Sequence, residues 1–455
     1  MAETTCPNCI ILERRVAELE AEVRRLTDLV NQLLRVGKRQ AAPFAKKPPK
    51  PEPQTPGRKA GDAHGPHGHR PPPDPNQIDE IHQARLPECC PGCGGAVIPT
   101  DVVDQFQTDI PQKPIVRQFR VHVGQCRSCG VRVQGRHSLQ TSDALGAAAS
   151  QIGPAAQAAV VLLNKDLGLS HGKVVRCLDA LFGIDLTRGA SAQIVLRAAE
   201  RCRPMYETIR QAARDSPTIV PDETGWRVGG RLAWLHVFVG QSATCYAIDP
   251  SRSGRVAEDL LGIDYSGVLI HDGWSPYDAF EGARHQQCLA HLLRRCDELL
   301  LTATHAAVRF PRAVADLLRS GLRLRDRYLD GAVSDRGLAT ARGRLWQRFV
   351  NLVYPPKNHP GNERLARFLW NHRADLFTFL DEPGLDATNW RAEQAIRPAV
   401  VNRKVWGGNR TWIGAQAQAI LMSVLATTRQ LGQNALDCFS ETLRIPFVPQ
   451  MQAAA

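Results

Sequence analysis

The chain has 455 residues and a formal net charge of +12, with 57 Lys and Arg residues against 45 Asp and Glu residues. This length predicts two to four domains, and a hydrophobic fraction of 43% excludes a wholly disordered protein. The excess of positive charge favours a polyanionic partner.

The amino terminus lacks the basic and then apolar layout of a signal peptide. The most apolar long stretch, residues 146–163, is Ala-rich and contains Gln151 and Gln157, which favours a packed helix over a membrane span. We therefore expect a cytoplasmic protein with no membrane partner. In that reducing compartment, thirteen cysteines indicate metal ligands rather than a disulfide framework.

Residues 1–37 carry a heptad repeat. Leucines recur every seven residues, and valines follow the first three of them by four places: Leu12, Leu19, Leu26, Leu33, Val16, Val23 and Val30. Valine at a and leucine at d predict a parallel coiled coil, and hence a homodimer or a higher oligomer. A single amphipathic helix packed on its own domain is the alternative. Residues 38–77, with eleven prolines, predict a basic, disordered linker.

Two CxxC pairs follow the linker. Cys90 and Cys93 form the first pair, and Cys126 and Cys129 form the second. Four thiolates on two tight turns are the tetrahedral ligand set that structural Zn²⁺ prefers, so residues 78–137 predict a zinc ribbon. Unpaired buried cysteines are the alternative.

A third CxxC pair, Cys6 and Cys9, precedes the heptads. Two ligands do not complete a zinc site, so this pair would need a second pair from the other chain of a dimer.

Residues 138–216 are predicted to be helical, with breaks before His171 and at Gly183. Two short helices across a Gly-containing turn are typical of a helix-turn-helix, which would place Arg188, Gln193 and Arg197 against DNA. An ordinary helical hairpin is the alternative.

Acidic residues follow two short β-prone runs. Asp222 and Glu223 come after residues 218–220, and Asp272 comes after residues 267–270. A carboxylate just beyond a strand lies at the rim of a sheet, where two on neighbouring strands can share divalent cations. Each could instead simply cap its strand or turn.

Residues 386–404 have a helix-start pattern in which Thr388 or Asn389 would be the cap and Glu393 lies about one turn in. Glu393 could be a third metal ligand or merely the i,i+4 partner of Arg397. Downstream, Pro398, Gly407 and Gly408 predict a loop. Three cationic residues there could bind phosphates: Arg403, Lys404 and Arg410.

Cys288 and His291 are three residues apart and could bind zinc with a second pair. A helix on which Cys288 packs inward and His291 faces the cleft is the preferred interpretation, with His291 an auxiliary residue of the site.

Together these segments resemble the DDE transposases of the insertion sequence 66 type. The resemblance covers most of the chain. It rests on the zipper, linker, zinc knuckles and helical segment, and on these motifs: Asp222-Glu-Thr-Gly225, Asp272-Gly-Trp-Ser-Pro-Tyr277, Cys288-Leu-Ala-His291, Asn389-Trp-Arg-Ala-Glu393, Arg397-Pro398, Arg403-Lys404 and the stretch from Gly414 to Gly432. The order and spacing of these fragments make the resemblance specific.

The resemblance implies a multidomain α+β protein with an RNase H-like α/β catalytic core, residues 217–296 and 386–445. A helical insertion, residues 297–385, would divide the core, and residues 446–455 would form a tail. Asp222, Asp272 and Glu393 would be the catalytic triad and would bind Mg²⁺ or Mn²⁺. Glu223, next to Asp222, could be the ligand instead; Asp222 is preferred because it matches the family position.

The implied activity is that of a bacterial DNA transposase, associated with the nucleoid when bound to DNA. It would bind terminal inverted repeats and use two metal ions to cleave and transfer strands, with accessory element-encoded proteins as potential partners. One competing hypothesis is a non-catalytic zinc-ribbon DNA-binding protein or repressor derived from a transposase. A nuclease that cuts but cannot join is another.

Overall fold

The computed structural model describes residues 15–16, 18–20, 22–23, 26, 72–82, 87–88, 91–96, 98, 104–107, 114–141, 152–382 and 384–444. The predictions for Cys6, Cys9, Cys90, most of the linker and the tail therefore lie outside the described residues. The chain divides into two compact units, residues 1–113 and 114–455. This division falls inside the range predicted for the zinc ribbon.

In the first unit, the described residues between 15 and 26 are helical. The heptad side chains Val16, Leu19, Val23 and Leu26 are 45–61% exposed in the single chain. A single 3₁₀ turn, Pro75–Gln77, follows at the end of the linker.

The second unit begins with a small antiparallel hairpin, β1 (Val123–Gln125) and β2 (Arg132–Gln134). Cys126 and Cys129 lie in the turn between its strands. The Gly130 amide donates to the Cys126 carbonyl (2.9 Å), and the Cys126 amide donates to the Val131 carbonyl (2.9 Å). Gly130 has a φ of +71°, the left-handed conformation that glycine adopts without strain.

A helical segment precedes the main sheet and comprises α1 (Pro154–Val161), a π-helical turn (Leu162–Asp166), α2 (His171–Phe182) and α3 (Arg188–Arg214). Ser170 and Thr187 cap α2 and α3, and Gly183 ends α2 at a φ of +61°. The prediction of two short helices is wrong for the second one. With 27 residues, α3 continues past Pro204 because it buries side chains along its whole length, from Ile194 to Ala213.

The sheet has five strands, β3 (Thr218–Val228), β4 (Arg231–Val239), β5 (Thr244–Asp249), β6 (Val268–His271) and β7 (Arg284–Gln287), with α4 (Arg255–Leu261) between β5 and β6. Their order is β5-β4-β3-β6-β7. β3, β4 and β5 are antiparallel neighbours, whereas β6 is parallel to both β3 and β7. Gly229 and Gly230, both at positive φ, form the tight β3–β4 turn.

Eight helices follow, α5 (Leu289–Thr302), α6 (Arg309–Leu329), α7 (Asp335–Val353), α8 (Pro360–Asn371), α9 (Thr378–Asp381), α10 (Trp390–Trp406), α11 (Trp412–Gln430) and α12 (Ala435–Arg444). The predicted boundary between residues 296 and 297 falls within α5. None of the described helices is both long enough and apolar enough to cross a membrane.

Both faces of the sheet are covered, because neighbouring residues of each buried strand enter different hydrophobic clusters. Val220 and Ile270 pack with residues of α5–α10, whereas Ile219 and Leu269 pack with residues of α1–α3, α11 and α12. Successive side chains of a strand point to opposite faces of the sheet, which explains this division. The structure therefore confirms a mixed α+β fold built around one central sheet.

The predicted loop after Pro398 is wrong. α10 continues through Pro398 and ends only at Gly407, whose φ is +83°. The buried residues Ala399, Val400 and Asn402 hold the second half of the helix in place, and this packing outweighs the backbone hydrogen bond that proline removes.

A buried lysine joins the helical segment to α10 and α11. Lys165, in the π-helical turn, donates to Gln418 Oε1 (2.6 Å), and its Nζ is 5.2 Å from the centre of the Trp406 ring. Its backbone carbonyl accepts from Asn402 Nδ2 (2.7 Å). Burial lowers the pKa of Lys165 to about 7. An Ala at Gly168 would place its Cβ 2.5 Å from Asn402 Oδ1, so this contact requires glycine.

We expect Lys165→Met to remove a pH dependence of stability. An unfolded lysine binds its proton up to about pH 10.5, whereas folded Lys165 releases it near pH 7, so wild-type stability should rise between those values by up to about 1.4 kcal/mol per pH unit. The variant should lack this rise in denaturant titrations at pH 6.5 to 9.5. Lys173→Met, at an exposed position on α2, is the control, and parallel curves for Lys165→Met and wild type would contradict the expectation.

Candidate active site

The parallel pairing of β3 with β6 places two acidic residues side by side. Thr218 pairs with Val268 and Ile219 with Leu269. Asp222, in β3, and Asp272, directly after the end of β6, each lie four residues beyond the first of these pairs, so they lie near one another. Both side chains are partly buried. The strand register thus brings together two residues that are fifty positions apart in the chain.

The third acidic residue, Glu393, lies in the first turn of α10, which packs against β3 and β4. Glu393 Oε1 is 3.9 Å from His291 Nε2, in the first turn of α5. Cys288, immediately before α5, is buried and accepts from the Asn389 amide at 3.4 Å. This contact joins the starts of α5 and α10, so His291 lies next to the acidic residues.

The surroundings of Asp222 favour the protonated form of its carboxyl group. Burial raises the pKa of Asp222 well above its usual value, and the charges of Glu223, Asp272 and Glu393 raise it further. Burial lowers the pKa of His291, as does Arg294, although Asp272 and Glu393 act in the opposite direction. A neutral His291 does not compensate the negative charge of the three carboxylates.

Glu223 has a separate set of partners. Its side chain is only 3% exposed, and it accepts two hydrogen bonds from Arg252, the shorter at 2.6 Å. The Tyr277 hydroxyl donates to its other oxygen at 3.3 Å. The Arg252 guanidinium also lies over Trp234 and Trp274, at 4.9 and 5.2 Å from their ring centres. The side chain of Glu223 is thereby held by a cation and a phenol.

The turn that carries Asp272 is held by hydrogen bonds. The Trp274 amide donates to Asp272 Oδ1 (3.0 Å), and the Gly273 amide donates to His271 Nδ1 (3.2 Å). With Nδ1 accepting, His271 Nε2 carries the proton and donates to His285 Nδ1 at 3.1 Å. Gly273 has a φ of +86°, and a Cβ there would be 2.7 Å from Gln287 Oε1, so the turn requires glycine.

Several buried polar atoms beside these residues have no protein partner in the described part of the chain. They are His291 Nδ1, Gln287 Oε1 and both amide atoms of Asn389. Asn389 precedes α10 but makes no side-chain cap, contrary to one of the predicted caps. Unpaired buried groups are costly, so these atoms are available to a ligand or to water.

The predicted DNA-binding residues are spread over several elements. Exposed residues of this group are Arg188, Gln193 and Arg197 on α3, Arg397 and Lys404 on α10, and Arg410 after it. Unlike these exposed residues, Arg403 is engaged within the protein. It lies on the helix rather than in a loop, and its guanidinium donates to the Gly225 carbonyl and to Thr224 Oγ1 on β3.

Three of the predicted zinc ligands are described. Cys93 belongs to the first compact unit, and Cys126 and Cys129 belong to the second. Backbone groups of Cys129 and Ser128 lower the pKa of the Cys126 thiol, which favours the thiolate that binds metal. Among the described residues, no three His, Cys, Asp or Glu side chains already surround a metal-sized position.

Sequence reasoning missed Arg252, His271 and His285 as neighbours of the acidic residues. Arg252 follows β5, where no motif distinguishes it from other surface arginines. His271 directly precedes Asp272 and could have been noticed there. His285 could not, because only the pairing of β6 with β7 brings it beside His271.

Comparison with known proteins identifies the family. Residues 149–417, more than half of the chain, match the model described as Transposase IS66 family. The chain belongs to the IS66 transposase family. The family predicted from the sequence motifs is thus confirmed. The matched region of this transposase includes Asp222, Asp272 and Glu393 and excludes the heptads and the CxxC pairs.

The chain is also similar to a curated protein. The transposase is 23% identical over 300 residues to the uncharacterized protein y4qI of Sinorhizobium fredii (strain NBRC 101917 / NGR234). The alignment covers 57% of the chain and 53% of that protein. The chain therefore spans about half the length of the curated relative that it matches.

We expect Asp222→Asn to stabilise the metal-free transposase at neutral pH. An unfolded aspartate ionises near pH 3.8, but folded Asp222 holds its proton to a higher pH, so wild-type stability falls as pH rises through that interval. The gain should shrink as pH falls through that interval and should vanish below pH 3.8. Denaturant titration in EDTA measures it. Asp330→Asn, at an exposed position, is the control; an equal gain in both variants would contradict the expectation.

Proposed function

We propose that this transposase cleaves and joins DNA strands at Asp222, Asp272 and Glu393, within an RNase H-like core. The observation that carries the proposal is the register of β3 and β6, which brings Asp222 of β3 near Asp272, the residue directly after β6. The mixed five-stranded sheet, with Glu393 on a helix packed over β3, supports the same assignment. Membership of the IS66 transposase family makes DNA the expected substrate.

The three carboxylates fit a divalent cation. They supply the hard oxygen ligands that Mg²⁺ or Mn²⁺ prefers, and burial together with the neighbouring negative charges raises the pKa of Asp222. Arg252, the nearby cation, is engaged with Glu223. This engagement favours Asp222 over Glu223 as the ligand. When bound there, the metal would activate water and stabilise the leaving 3′ oxygen.

Other residues of the chain would orient the reacting groups and the DNA. The Trp274 amide and the His271–His285 pair hold the Asp272 turn. Arg397 and Lys404 follow Glu393 by four and eleven residues, so all three share one face of α10, over about 16 Å. DNA phosphates bound along this face would place the strand next to the carboxylates. His291 can accept or donate a proton within reach of Glu393.

The amino-terminal modules would supply end binding and assembly. Cys126 and Cys129 would supply thiolate ligands to a structural Zn²⁺, supported by their tight turn and by the lowered pKa of the Cys126 thiol. The heptads would form a homodimer, supported by the exposure of the a and d side chains in the single chain. A cytoplasmic location beside bacterial DNA accords with this function.

Asp222→Asn, Asp272→Asn and Glu393→Gln should each abolish Mg²⁺-dependent nicking and 3′-OH strand transfer, because each removes one oxygen ligand. Binding of an end-containing duplex in EDTA should be unchanged. Gel assays on labelled duplex measure all three properties. Glu281→Gln, which changes an exposed carboxylate, is the control and should retain activity.

Nicking retained by the triple variant would refute the assignment. End-specific binding by wild type without any cleavage would favour the non-catalytic DNA-binding protein. Cleavage without transfer into a second duplex would favour the nuclease.

Leu19→Lys with Val23→Lys should convert the protein from a dimer to a monomer, because charged groups would enter the a and d positions. Light scattering coupled to size-exclusion chromatography measures the mass. Ala21→Lys, at the f position of the same heptads, is the control and should remain dimeric. An unchanged mass for the double variant would contradict the coiled coil.

A further inference from the structure

The exposed face of α7 carries a stripe of basic and uncharged polar side chains that the proposed active site does not use. Its members are Arg336, Thr340, Arg344, Gln347, Arg348 and Asn351. At 100° per residue they occupy one sector of the helix, opposite the buried Leu338, Leu345 and Phe349. From first to last they span fifteen residues, or about 22 Å.

The charge of this stripe is uncompensated within the described structure. Asp335, at the start of α7, accepts a hydrogen bond from the Tyr328 hydroxyl at 2.7 Å. None of the three stripe arginines forms an ion pair with a described carboxylate, whereas Arg342, on the inner side of α7, contacts Asp381. On the neighbouring helix α6, Arg319 and Arg325 lie 3.7 and 2.7 Å from Asp316 and Asp326.

Gly343 lies at the edge of this sector, about 20° from Arg336, and is exposed. A Cβ at this position would meet no atom within 4 Å, so internal packing does not require glycine here. Glycine inside a helix is unfavourable relative to alanine, and it allows another molecule to approach the backbone closely. A costly residue with no internal explanation, at the edge of a basic stripe, indicates an external ligand.

We propose that this stripe, residues 336–351 of α7, binds duplex DNA through the sugar-phosphate backbone. Three arginines supply the positive charge, and the side-chain amides of Gln347 and Asn351, joined to each other by one hydrogen bond of 3.0 Å, supply further donors for phosphate oxygens. The Thr340 hydroxyl donates to the Arg336 carbonyl at 2.8 Å. A helix with its side chains is about 10–12 Å across, which fits the roughly 12 Å major groove. The proposal rests on the proposed function, since it assigns the helical insertion to the substrate of that reaction.

The test measures DNA affinity of the full chain in EDTA at several salt concentrations, by fluorescence anisotropy with a labelled duplex. The variant Arg336→Gln with Arg344→Gln and Arg348→Gln should bind at least about tenfold more weakly. Its slope of log K against log salt should be smaller by up to about 2.7, since each lost phosphate contact removes about 0.9.

A matched control removes the same charge elsewhere. Arg203, Arg210 and Arg255 each lie within 4 Å of a carboxylate, at 2.5, 3.1 and 3.8 Å. Changing these three to Gln should leave the slope near the wild-type value. A reduction as large as that of the stripe variant would overturn the proposal, because it would show that total charge alone sets affinity.

A second comparison depends on one site and preserves the fold. Gly343→Glu and Gly343→Gln both place a side chain into open space and both favour the helix. If DNA lies against the stripe, the Glu variant should bind DNA more weakly than the Gln variant, and the difference should shrink at high salt. Equal affinities for the two variants would overturn the proposal.

The outcomes also separate this proposal from the proposed function. If wild type binds and nicks DNA and the stripe variant binds DNA equally well, the proposed role of the stripe would be overturned, whereas the proposed transposase activity would remain supported. Absence of nicking by wild type would refute the proposed function, whereas the DNA affinities of wild type and the stripe variant would still test the stripe. If the stripe variant lost affinity for polyglutamate but not for duplex, the partner would be an acidic protein surface, and the proposal would be overturned.

Discussion

The parallel pairing of β3 with β6 is the constraint on which the candidate site depends. Two paired positions set the register, and that register places Asp222 and Asp272 near each other. Burial removes Asp222 from water and raises the pKa of its carboxyl group, and the negative charges of Glu223, Asp272 and Glu393 raise it further. The hydrophobic clusters on both faces of the sheet must offset that cost, because they hold the strands in this register.

The position of Glu393 depends on how α10 is anchored. On one side, Arg403 bonds to β3, and the Trp406 ring meets the Trp226 ring edge to face at 6.1 Å. On the other side, Asn402 bonds to the carbonyl of Lys165 in the π-helical turn. The helix therefore contacts both the strand that carries Asp222 and the helical segment before the sheet. Tight anchoring of this kind explains why the helix continues through Pro398.

Several features could be predicted from local sequence. The β-prone runs ending in Asp222 and Asp272, the helix start before Glu393 and the cap at Ser170 all depend on residues close together in the chain. The error at Pro398 has the same origin, since proline and glycine are strong local indications of a break. Burial of residues 399–402 against the sheet reversed that local preference, and distant side chains supply that burial.

The sequence by itself determined the residue types, the motif order and the family, because these need only the identity and spacing of residues along the chain. The tertiary structure decided which carboxylates meet, which of two adjacent acids is held by Arg252, and which arginines remain unpaired on α7. Each of these outcomes depends on strand register or helix packing. Such contacts join distant positions, as in the hydrogen bond between Lys165 and Gln418, which are 253 residues apart, and spacing along one chain does not specify them.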